Sequence, residues 1–418
     1  MNLPGKLQSL TSALKERKQV RKDLRGPAHL YYAIADAIDM LDRSAWEQLT
    51  AGSGFFMSAD YLQALEPVLP LNLSPRYALV YSGDAQQRRP LAAIYMQVAD
   101  ISLAQLRPEK QRGARIDALA RSTTQRILTC GNLLTYGQHG IAIAPDGDPR
   151  QAWHGVAEVL YRIRQSDKLE GKTHFIMIKD LHSHHRSEAA HLEHLSYRYV
   201  ETEPNMVLAL DPLWKSYDDY LASLAAKYRA NVRNAIFKKM DEAGCSVDTL
   251  TDLASVQGEL HALYKAVQSN AGVRMFELVP AYFAALQRAA GERFRCTVVR
   301  RDGALLGFLI SVADGATAVA YHIGFDRAAA DSLPIYLRLL HAGVADAIAL
   351  GCSEISYGRT ALEPKAALGA KPQPFGILVR HRQPVLNKMM KRVLLGIEHD
   401  EPPERNPFKK EKAAPAPP

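Results

Sequence analysis

The sequence predicts a mixed α/β protein made of two tandem units, each with a sheet that combines antiparallel and parallel strands. The chain has 418 residues, which is too long for one ordinary domain. Its apolar fraction of 47% and its charged fraction of 23% are typical of a folded protein. The strongest indication is that one order of elements, a hairpin, a strand, a helix and a strand, is predicted twice along the chain.

The two passes can be followed by residue number. The first pass has β-rich runs at 76–81, 91–98, 126–130 and 140–144, an amphipathic helix at 150–164 and a strand at 173–179. The second pass has β-rich runs at 294–299, 305–312 and 316–322, a helix at 332–350 and a strand at 353–357. A polar turn containing Gly and Asp joins the first two runs in each pass, and both hairpins end in Val-Ala-Asp.

The flanking segments complete the predicted organisation. Leucines at helical spacing followed by basic residues predict a helical extension at the N-terminus, and the prolines of EPPERNP and AAPAPP predict a disordered C-terminal tail. The predicted parts are a basic amphipathic helical extension at 1–44, a first unit at 45–211, a basic linking helix at 212–250, a second unit at 251–398 and a tail at 399–418.

Positive charge is concentrated in two places, although the formal net charge of the chain is +8. Residues 1–25 hold seven Lys or Arg and two acidic residues, and residues 227–239 hold five Lys or Arg and no acid. The first segment fits a helix lying on an anionic membrane surface, or a terminal helix that docks on its own protein. The second fits a polyanion-binding face or a solvated charged face.

The sequence also indicates a compartment. No stretch of about 18 uncharged apolar residues is present, and residues 1–25 lack the apolar core of a signal peptide. The four cysteines are scattered and form no CxxC pair, which argues against a disulfide or zinc framework. We therefore expect a cytoplasmic protein, with peripheral contact at the inner membrane face through residues 1–25 as an alternative.

Residues 321–382 hold the densest run of chemistry-bearing side chains. Gly358 allows close backbone approach, Arg359 can grip a carboxylate or phosphate, and Lys365 adds a point charge. Ser332 is predicted to cap the following helix, whose free N–H groups could then face an anion. Loop glycines and an internal Glu363–Lys365 pair would be the structural alternative. The candidates are Tyr321, His322, Ser332, Tyr357, Gly358, Arg359, Glu363 and Lys365.

These residues carry a resemblance to a known family. The run YHIGFD…SLPIYL…YGRT-x-x-E-x-K-x-x-x-G-A-K…VRHR resembles the C-terminal half of GNAT-like acyltransferases. That group includes the Fem peptidoglycan aminoacyltransferases and acyltransferase domains of cellulose and exopolysaccharide gene clusters. The helix at 217–233 is also similar to theirs, so the matched motifs span about 215–385. Two family features are missing: the phosphate-cradling R/Q-x-x-G-x-G/A loop, replaced here by the sequence at 327–332, and the paired helical arm of Fem enzymes.

The resemblance implies tandem GNAT-like domains and N-acyl transfer to an amine-bearing acceptor, without a covalent enzyme intermediate or a covalently bound cofactor. The donor would be an acyl-CoA, an acyl carrier protein (acyl-ACP) or an aminoacyl-tRNA. His322, beside Tyr321, is the first candidate base and Glu363 the second. Arg359 and Lys365 are interpreted as anion clamps. If the donor is a tRNA, its phosphates would follow the basic helix, whose candidates are Lys227, Arg229 and Arg233.

A second class of function remains open at this stage. A catalytically silent GNAT-like module could bind a polyanion or a protein partner in an envelope or polysaccharide assembly. The sequence does not define the oligomeric state or the pathway.

Three further groups of residues have simpler interpretations. Five histidines between 182 and 194 lack the spacing of a metal motif, and a polar loop that leads into an exposed helix is favoured. The pair Phe55-Phe56 is interpreted as core. Asn132, Tyr136 and His139 flank two glycines between strands, where either an acceptor could enter or an ordinary glycine turn could lie.

Overall fold

The computed structural model describes residues 29–84, 86–102, 124–269, 274–395 and 405–409, together with the isolated positions 12, 15, 18, 19, 22 and 403. The N-terminal amphipathic helix therefore falls almost wholly outside the described residues, as does most of the predicted tail. The described chain forms two mixed sheets with helices against their faces, which confirms the predicted fold class. None of the described helices is long and apolar enough to cross a membrane.

The strands are numbered in chain order. Those of the first half are β1 (Tyr31–Ala35), β2 (Leu73–Gly83), β3 (Arg88–Ser102), β4 (Thr124–Cys130), β5 (Ile141–Ile143), β6 (Thr173–Leu181), β7 (Arg198–Glu201) and β8 (Asn205–Ala209). Those of the second half are β9 (Cys245–Thr249), β10 (Phe294–Arg301), β11 (Ala304–Asp314), β12 (Thr317–Phe325), β13 (Glu354–Ser356), β14 (Lys371–Gln373) and β15 (Gly376–His381).

The helices are numbered in the same way. Those of the first half are α1 (Arg43–Thr50), α2 (Ala59–Leu65), α3 (Pro149–Ser166) and α4 (Ser183–Ala189). Those of the second half are α5 (Tyr217–Ser223), α6 (Ala226–Asn231), α7 (Lys238–Glu242), α8 (Gln257–Gln268), α9 (Tyr282–Ala290), α10 (Arg327–Ala330), α11 (Ile335–Ala349), α12 (Leu362–Ala367) and α13 (Pro384–Leu395). Short 3₁₀ turns join several of them.

Local sequence explains where key elements begin and turn. Asp302 and Gly303 have φ angles of 51° and 81°, so both adopt the left-handed conformation of a two-residue hairpin turn between β10 and β11. Helix α3 begins where the Asp148 carboxylate accepts the backbone N–H of Arg150, with Pro149 in the first turn. Nearly every residue of β11 is buried, which fits its continuous apolar run.

Each sheet repeats the same topology. The first has the order β1-β2-β3-β4-β6-β15-β7, with β5 paired to β3, and the second has the order β14-β8-β13-β12-β11-β10-β9. In each sheet an antiparallel hairpin leads to a strand that pairs in parallel with the strand after a crossover helix: β4 with β6 after α3, and β12 with β13 after α11. The tandem order of elements predicted from the sequence is therefore present.

The two units exchange strands. β15, near the end of the chain, pairs antiparallel with β6 and β7 of the first sheet, whereas β8 pairs with β13 and β14 of the second. A cut near residue 211 therefore does not separate the two sheets.

One apolar cluster is shared by the two units. It contains side chains of the first sheet such as Tyr77 and Tyr95, and side chains of the second such as Phe308 and Val319. Helix α2 packs on α9 in the same cluster. A second cluster fills the space between the first sheet and α3, and a third lies between the second sheet, α5 and α11. The shared cluster, together with the strand exchange, makes the two units interdependent.

Three sequence-based predictions need correction. Residues 31–35 were predicted to be helical but form β1, which pairs with β2. The linking helix is not continuous: the chain is extended at Leu224 and Ala225, and α6 passes into a π-helical segment at Val232–Phe237 before α7. Tail residues 405–409 were predicted to be disordered, but they dock on the second unit.

The docking of the tail is specific. Pro407 accepts a hydrogen bond from the N–H of Ala225 at 2.8 Å, and the N–H of Lys409 donates to the carbonyl of Ser223 at 3.0 Å. The ring of Phe408 lies 5.7 Å from that of Trp214, measured between centroids. The tail therefore covers the point at which the linking segment breaks.

Candidate functional site

The site lies where β12 and β13 separate. The two strands pair in parallel only over Thr317–Val319 and Glu354–Ser356. β12 then continues to Phe325, while the chain after β13 turns away through Tyr357, Gly358 and Arg359. Within the described residues no strand pairs with this side of β12 beyond Val319, so its backbone groups border an open gap.

A cavity of about 320 Å³ fills this gap. Its walls are mainly apolar or aromatic, and Lys365 and Arg359 supply the charged groups. The wall includes the side chains of Tyr136, Ile323, Tyr336, Leu340, Tyr357 and Lys365. The sequence-predicted residues Tyr321, Tyr357, Arg359 and Lys365 are thus brought to one cavity.

Tyr321 lies at an irregular point of β12. In the pairing with β11, Ile310 is opposite His322 and Ser311 is opposite Ala320, so Tyr321 is the extra residue of a β-bulge. A bulge interrupts the ladder and redirects a side chain, and bulges are common beside active sites. The side chain of Tyr321 points into the shared core rather than continuing the regular alternation.

The hydroxyl of Tyr321 is the centre of a buried cluster. It lies 3.0 Å from the hydroxyl of Tyr61 and 2.8 Å from that of Tyr282. Asn132 donates its side-chain N–H to Tyr61 at 3.0 Å. Burial raises the pKa of Tyr321 and of Tyr282 well above the ordinary value. These phenols therefore stay protonated at neutral pH and connect the first unit to β12.

His322 stands beside this cluster rather than on the cavity. Its ring stacks on Tyr321 with centroids 4.1 Å apart, and its Nε2 lies 3.4 Å from the Tyr282 hydroxyl. Desolvation lowers the pKa of His322 to about 3. The imidazole is therefore neutral at pH 7 but too weakly basic to hold a proton well, so its assignment as the base remains a prediction that this geometry does not favour.

Lys365 is placed on α12 with its amine inside the cavity wall. The residue is only 3% exposed. Nζ donates to the carbonyl oxygens of Gly358 at 3.1 Å and Arg359 at 2.6 Å. Burial lowers the pKa of Lys365 to about 7, an effect partly offset by the charge of Glu203. The neutral amine is therefore accessible near pH 7. In that form both N–H groups donate to carbonyls and one lone pair is left to accept a proton.

Arg359 makes a charge pair across the two units. Its guanidinium donates to the carboxylate of Asp180, a fully buried residue at the end of β6, which also accepts the N–H of Gly137 at 3.0 Å and pairs with Lys179. Burial lowers the pKa of Arg359. The predicted anion clamp is thus already neutralised by a carboxylate of this chain.

The loop between β13 and α12 is held in an uncommon backbone conformation. Gly358, Thr360 and Ala361 have φ angles of 71°, 64° and 46°. A Cβ at Gly358 would lie 2.9 Å from Cε2 of Tyr136, so the close approach predicted for this glycine is a contact with the first unit. The hydroxyl of Tyr357 donates to the carbonyl of Leu340 at 2.8 Å, which fixes its ring against the cavity.

Two further predicted site residues, Glu363 and Ser332, also lie away from the cavity. Glu363 is exposed and pairs with Arg405 of the docked tail, with Oε1 at 2.5 Å from Nη2 and 3.0 Å from Nε. Ser332 does not cap the helix as expected: α11 begins at Ile335 with Pro334 before it, and the Ser332 hydroxyl donates to the carbonyl of Ala329. The prediction that Ser332 caps this helix is therefore wrong.

The basic segment divides into structural and exposed positions. Arg229 donates to the carbonyls of Ala222 and Leu224, both at 3.2 Å, and so satisfies the end of α5. Lys227 and Arg233 are exposed. Because the π-helical segment interrupts the α-helical spacing, the basic side chains do not form one regular face.

A second cavity, of about 360 Å³, lies between the two units and is more polar. Its wall includes the pair of His139 Nε2 and Asp314 Oδ2, 3.0 Å apart, which joins the β4–β5 loop to the end of β11. Asp314 also accepts the N–H of Phe56 at 3.3 Å. Tyr136 lines both cavities, so its ring forms a shared wall.

The other residue groups behave as structural features. Phe55 and Phe56 are buried in the shared cluster. The rings of His184 and His185 lie 3.9 Å apart on α4, and His185 bonds to Glu188. In the part of the chain that is described, no three His, Cys, Asp or Glu are arranged to hold a metal ion.

Sequence reasoning missed four residues that contact site residues: Tyr61, Asp180, Tyr282 and Asp314. Asp180 lies near the end of β6 and Asp314 at the end of β11. A carboxylate at the end of an apolar strand could have been recognised in the sequence as a candidate site residue. Tyr61 and Tyr282 lie on apolar helix faces, where nothing in the periodicity distinguishes them from core residues.

Comparison with known proteins agrees with this topology. Residues 226–366 match the family model described as an acetyltransferase (GNAT) domain. This stretch runs from α6 to α12 and contains β12, β13 and the cavity between them. The stretch is therefore similar to a GNAT acetyltransferase domain, as the motifs indicated. No curated protein sequence matches the chain.

Solved structures are similar over most of the chain but distant in sequence. A tandem GNAT protein from the clavulanic acid biosynthesis pathway is 14% identical, with 85% of this chain and 99% of that chain covered and a TM-score of 0.49. FemX is 11% identical, with coverages of 84% and 93% and a TM-score of 0.46. The C-terminal domain of a putative lysylphosphatidylglycerol synthetase from Agrobacterium fabrum is 10% identical, with coverages of 84% and 95% and a TM-score of 0.45.

Proposed function

We propose that this protein transfers an acyl group from an acyl thioester to an amine in the cavity between β12 and β13. The proposal rests on the gap beside β12, where β13 separates from it. β12 loses its parallel neighbour after Val319, so an extended donor arm can lie along Ala320–Phe325 and pair with the free strand edge. Acyl-CoA and acyl-ACP both present such an arm.

The walls favour a bulky acyl group over an acetyl group. Ile323, Tyr336 and Leu340 present apolar surface to the cavity. The chain also lacks the glycine-rich loop that would hold the pyrophosphate of acetyl-CoA, so contacts along the acyl chain must supply more of the binding free energy. We expect acetyl-CoA to bind more weakly than longer acyl-CoAs.

Lys365 is the side chain best placed to move a proton. The amine nitrogen of the acceptor attacks the thioester carbonyl carbon and forms the C–N bond of an amide. The C–S bond breaks, and the leaving thiolate takes up, by way of Lys365, the proton that the nitrogen loses. The attacking nitrogen must lose a proton, and the neutral Lys365 amine can take it because its lone pair is not used by the two carbonyls that it binds. Orientation within the cavity contributes the larger part of the rate.

The acceptor is proposed to enter from the polar cavity between the units. Its wall carries Asp314 and Glu354, whose carboxylates suit an amine-bearing molecule. Because Tyr136 forms a wall shared with the donor cavity, an acceptor on the polar side approaches the position of the thioester past this ring. The contact between His139 and Asp314 would then keep the β4–β5 loop and the end of β11 together at this entrance.

Donor binding is the first test. Freshly purified protein is examined by native mass spectrometry for retained CoA, acyl chains or RNA, and is then titrated with acetyl-CoA, palmitoyl-CoA and aminoacyl-tRNA. Saturable binding of palmitoyl-CoA that exceeds that of acetyl-CoA supports the proposal. Binding of aminoacyl-tRNA without binding of either thioester would show that the donor assignment is wrong.

Turnover is the second test. Thiol release from the bound acyl-CoA is followed with a panel of primary amines for the wild type and for Lys365→Met. Loss of a general base predicts a fall in rate of about 100-fold or more. Lys388→Met, an exposed lysine on α13, is the matched control and should not change the rate. Equal rates for both variants would remove Lys365 from the mechanism.

A further inference from the structure

A separate cavity of about 520 Å³ lies on the outer face of the first sheet, between α3 and the strands β6 and β15. It shares no wall residue with the cavity at β12. Its floor is the side chain of Ile176, and two tyrosines, Tyr161 and Tyr197, line it. Arg164 and Arg380 supply the positive charge.

The fold brings the arginines together from distant positions in the sequence. Arg380 is paired with Ile176 in the β15–β6 ladder, so both side chains leave the same face of the sheet. Arg382 follows two residues later, and its N–H donates to the carbonyl of His174 at 2.9 Å. Arg164 comes from the last turn of α3, which packs over that face.

A smaller cavity of about 310 Å³ adjoins this one at Arg164, which lines both. It is lined by Lys168, Lys172 and Arg382 among others. The two cavities together therefore form a basic cleft, defined here by Arg164, Lys168, Lys172, Arg380 and Arg382.

No counterion for this cleft is found among the described residues. Among the described residues none of the five basic side chains is within ion-pair distance of a carboxylate. The carboxylate nearest in the cavity wall, Glu158, instead pairs with Arg162 at 2.9 Å. Burial lowers the pKa of Arg164, and the neighbouring charges of Arg380 and Arg382 lower it further. Like charges held together without a counterion favour the binding of an anion.

The arginines are also oriented by aromatic rings. The guanidinium of Arg164 lies 5.5 Å from the ring centroid of Tyr161, and that of Arg380 lies 5.8 Å from the ring centroid of Tyr197. Tyr161 is 49% exposed at the mouth of the cavity, so one face is available to a planar ligand. A forked guanidinium can donate two parallel hydrogen bonds to the oxygens of a phosphoryl group, so arginines at one cavity suit a phosphate.

We propose that the basic cleft binds a small organic phosphate, with one or two phosphoryl groups held by Arg164, Arg380 and Arg382 and a ring body against Tyr161. The volume suits a molecule of nucleotide size. The site is distinct from the acyl-transfer cavity, and it is independent of which donor that cavity takes.

The test uses the full chain and isothermal titration calorimetry at low ionic strength, with pyrophosphate, ADP and ribose 5-phosphate as probes. Saturable binding of at least one probe is expected for the wild type, weakening as salt is added. Arg164→Gln with Arg380→Gln should weaken that binding at least about tenfold, because charge-assisted hydrogen bonds are lost. Arg150→Gln, exposed at the opposite end of α3, is the matched control and should bind like the wild type.

A second variant keeps the test valid if the double substitution disturbs folding. Arg382→Gln changes an exposed side chain and should weaken the same probe without lowering the melting temperature. The proposal is overturned if no probe binds saturably to the wild type, or if the arginine variants bind as the control does. It is also overturned if only RNA or anionic vesicles bind through these arginines, since the cleft would then be part of a polyanion surface.

Discussion

The protonation of Lys365 can be measured without knowing any substrate. The folded protein holds its pKa at about 7 from an ordinary value of 10.5, because the amine is buried. Below pH 7 the amine is charged in both the folded and the unfolded chain, and above 10.5 it is neutral in both. Between these limits the unfolded chain binds the proton more readily, so the folded protein loses about 1.4 kcal/mol of stability for each unit by which the pH falls.

Lys365→Met removes this dependence. The variant loses two hydrogen bonds to carbonyls, which costs about 1–3 kcal/mol at any pH. When the pH is lowered from 9 to 8, the wild type should lose about 1.4 kcal/mol of unfolding free energy through this amine. The variant should not, so its stability relative to the wild type should rise by that amount. Denaturant unfolding of both proteins at the two pH values measures the difference, and Lys388→Met serves as the control.

Chemical labelling gives an independent measurement. Competitive acetylation of the folded wild type at a series of pH values, read by peptide mass spectrometry, should show half-maximal reactivity of Lys365 near pH 7. Free Nα-acetyl-lysine in the same reaction provides a reference amine of ordinary pKa, about 10.4. A midpoint above pH 9, together with parallel stability curves for wild type and variant, would refute the argument for a neutral amine and with it the proposed base.

Three further predictions concern the surroundings of the cavity. Gly358→Ala places a methyl group 2.9 Å from the ring of Tyr136 at a φ of 71°, so we expect a loss of at least about 1–2 kcal/mol in denaturant unfolding; a change within error would mean that the loop relaxes. Tyr321→Phe removes the central hydroxyl of the buried cluster and should cost about 1–3 kcal/mol, whereas an unchanged melting temperature would show that water replaces it. Asp314→Ala and His139→Ala, measured alone and together in a double-mutant cycle, should give a coupling energy of about 0.5–3 kcal/mol; additive effects would argue that their contact contributes nothing to joining the units.

Much of the fold could be predicted because its signals are local. The Asp302-Gly303 turn specifies a hairpin by its backbone conformation, and α3 is marked by its cap and its apolar face. The exchange of β8 and β15 could not be predicted in this way. Both are short strands whose own patterns fit either sheet, and their partners are chosen by long-range packing.

The site was predictable in part for the same reason. The loop at 357–365 could be recognised from its dense glycine, arginine and lysine, and the structure places Arg359 and Lys365 at one cavity. Their protonation and pairing could not be read from the sequence, because Asp180 lies 179 positions from Arg359 and neutralises it only after the units have packed. Glu363 and Lys365 were both candidate site residues in the sequence, yet the two side chains leave α12 on opposite sides, so that Glu363 is exposed and Lys365 is buried.

The exchanged strands also determine when each half of the molecule can be completed during synthesis. The first sheet needs β15, which follows every other described strand along the chain. A nascent chain that stops short of β15 would therefore present the unpaired edges of β6 and β7. Open edges of this kind invite pairing with other chains. A C-terminal truncation before Gly376 would therefore damage the first sheet more than the second, although the second unit lies nearer to the cut. A chaperone that shields strand edges would assist folding most in that interval.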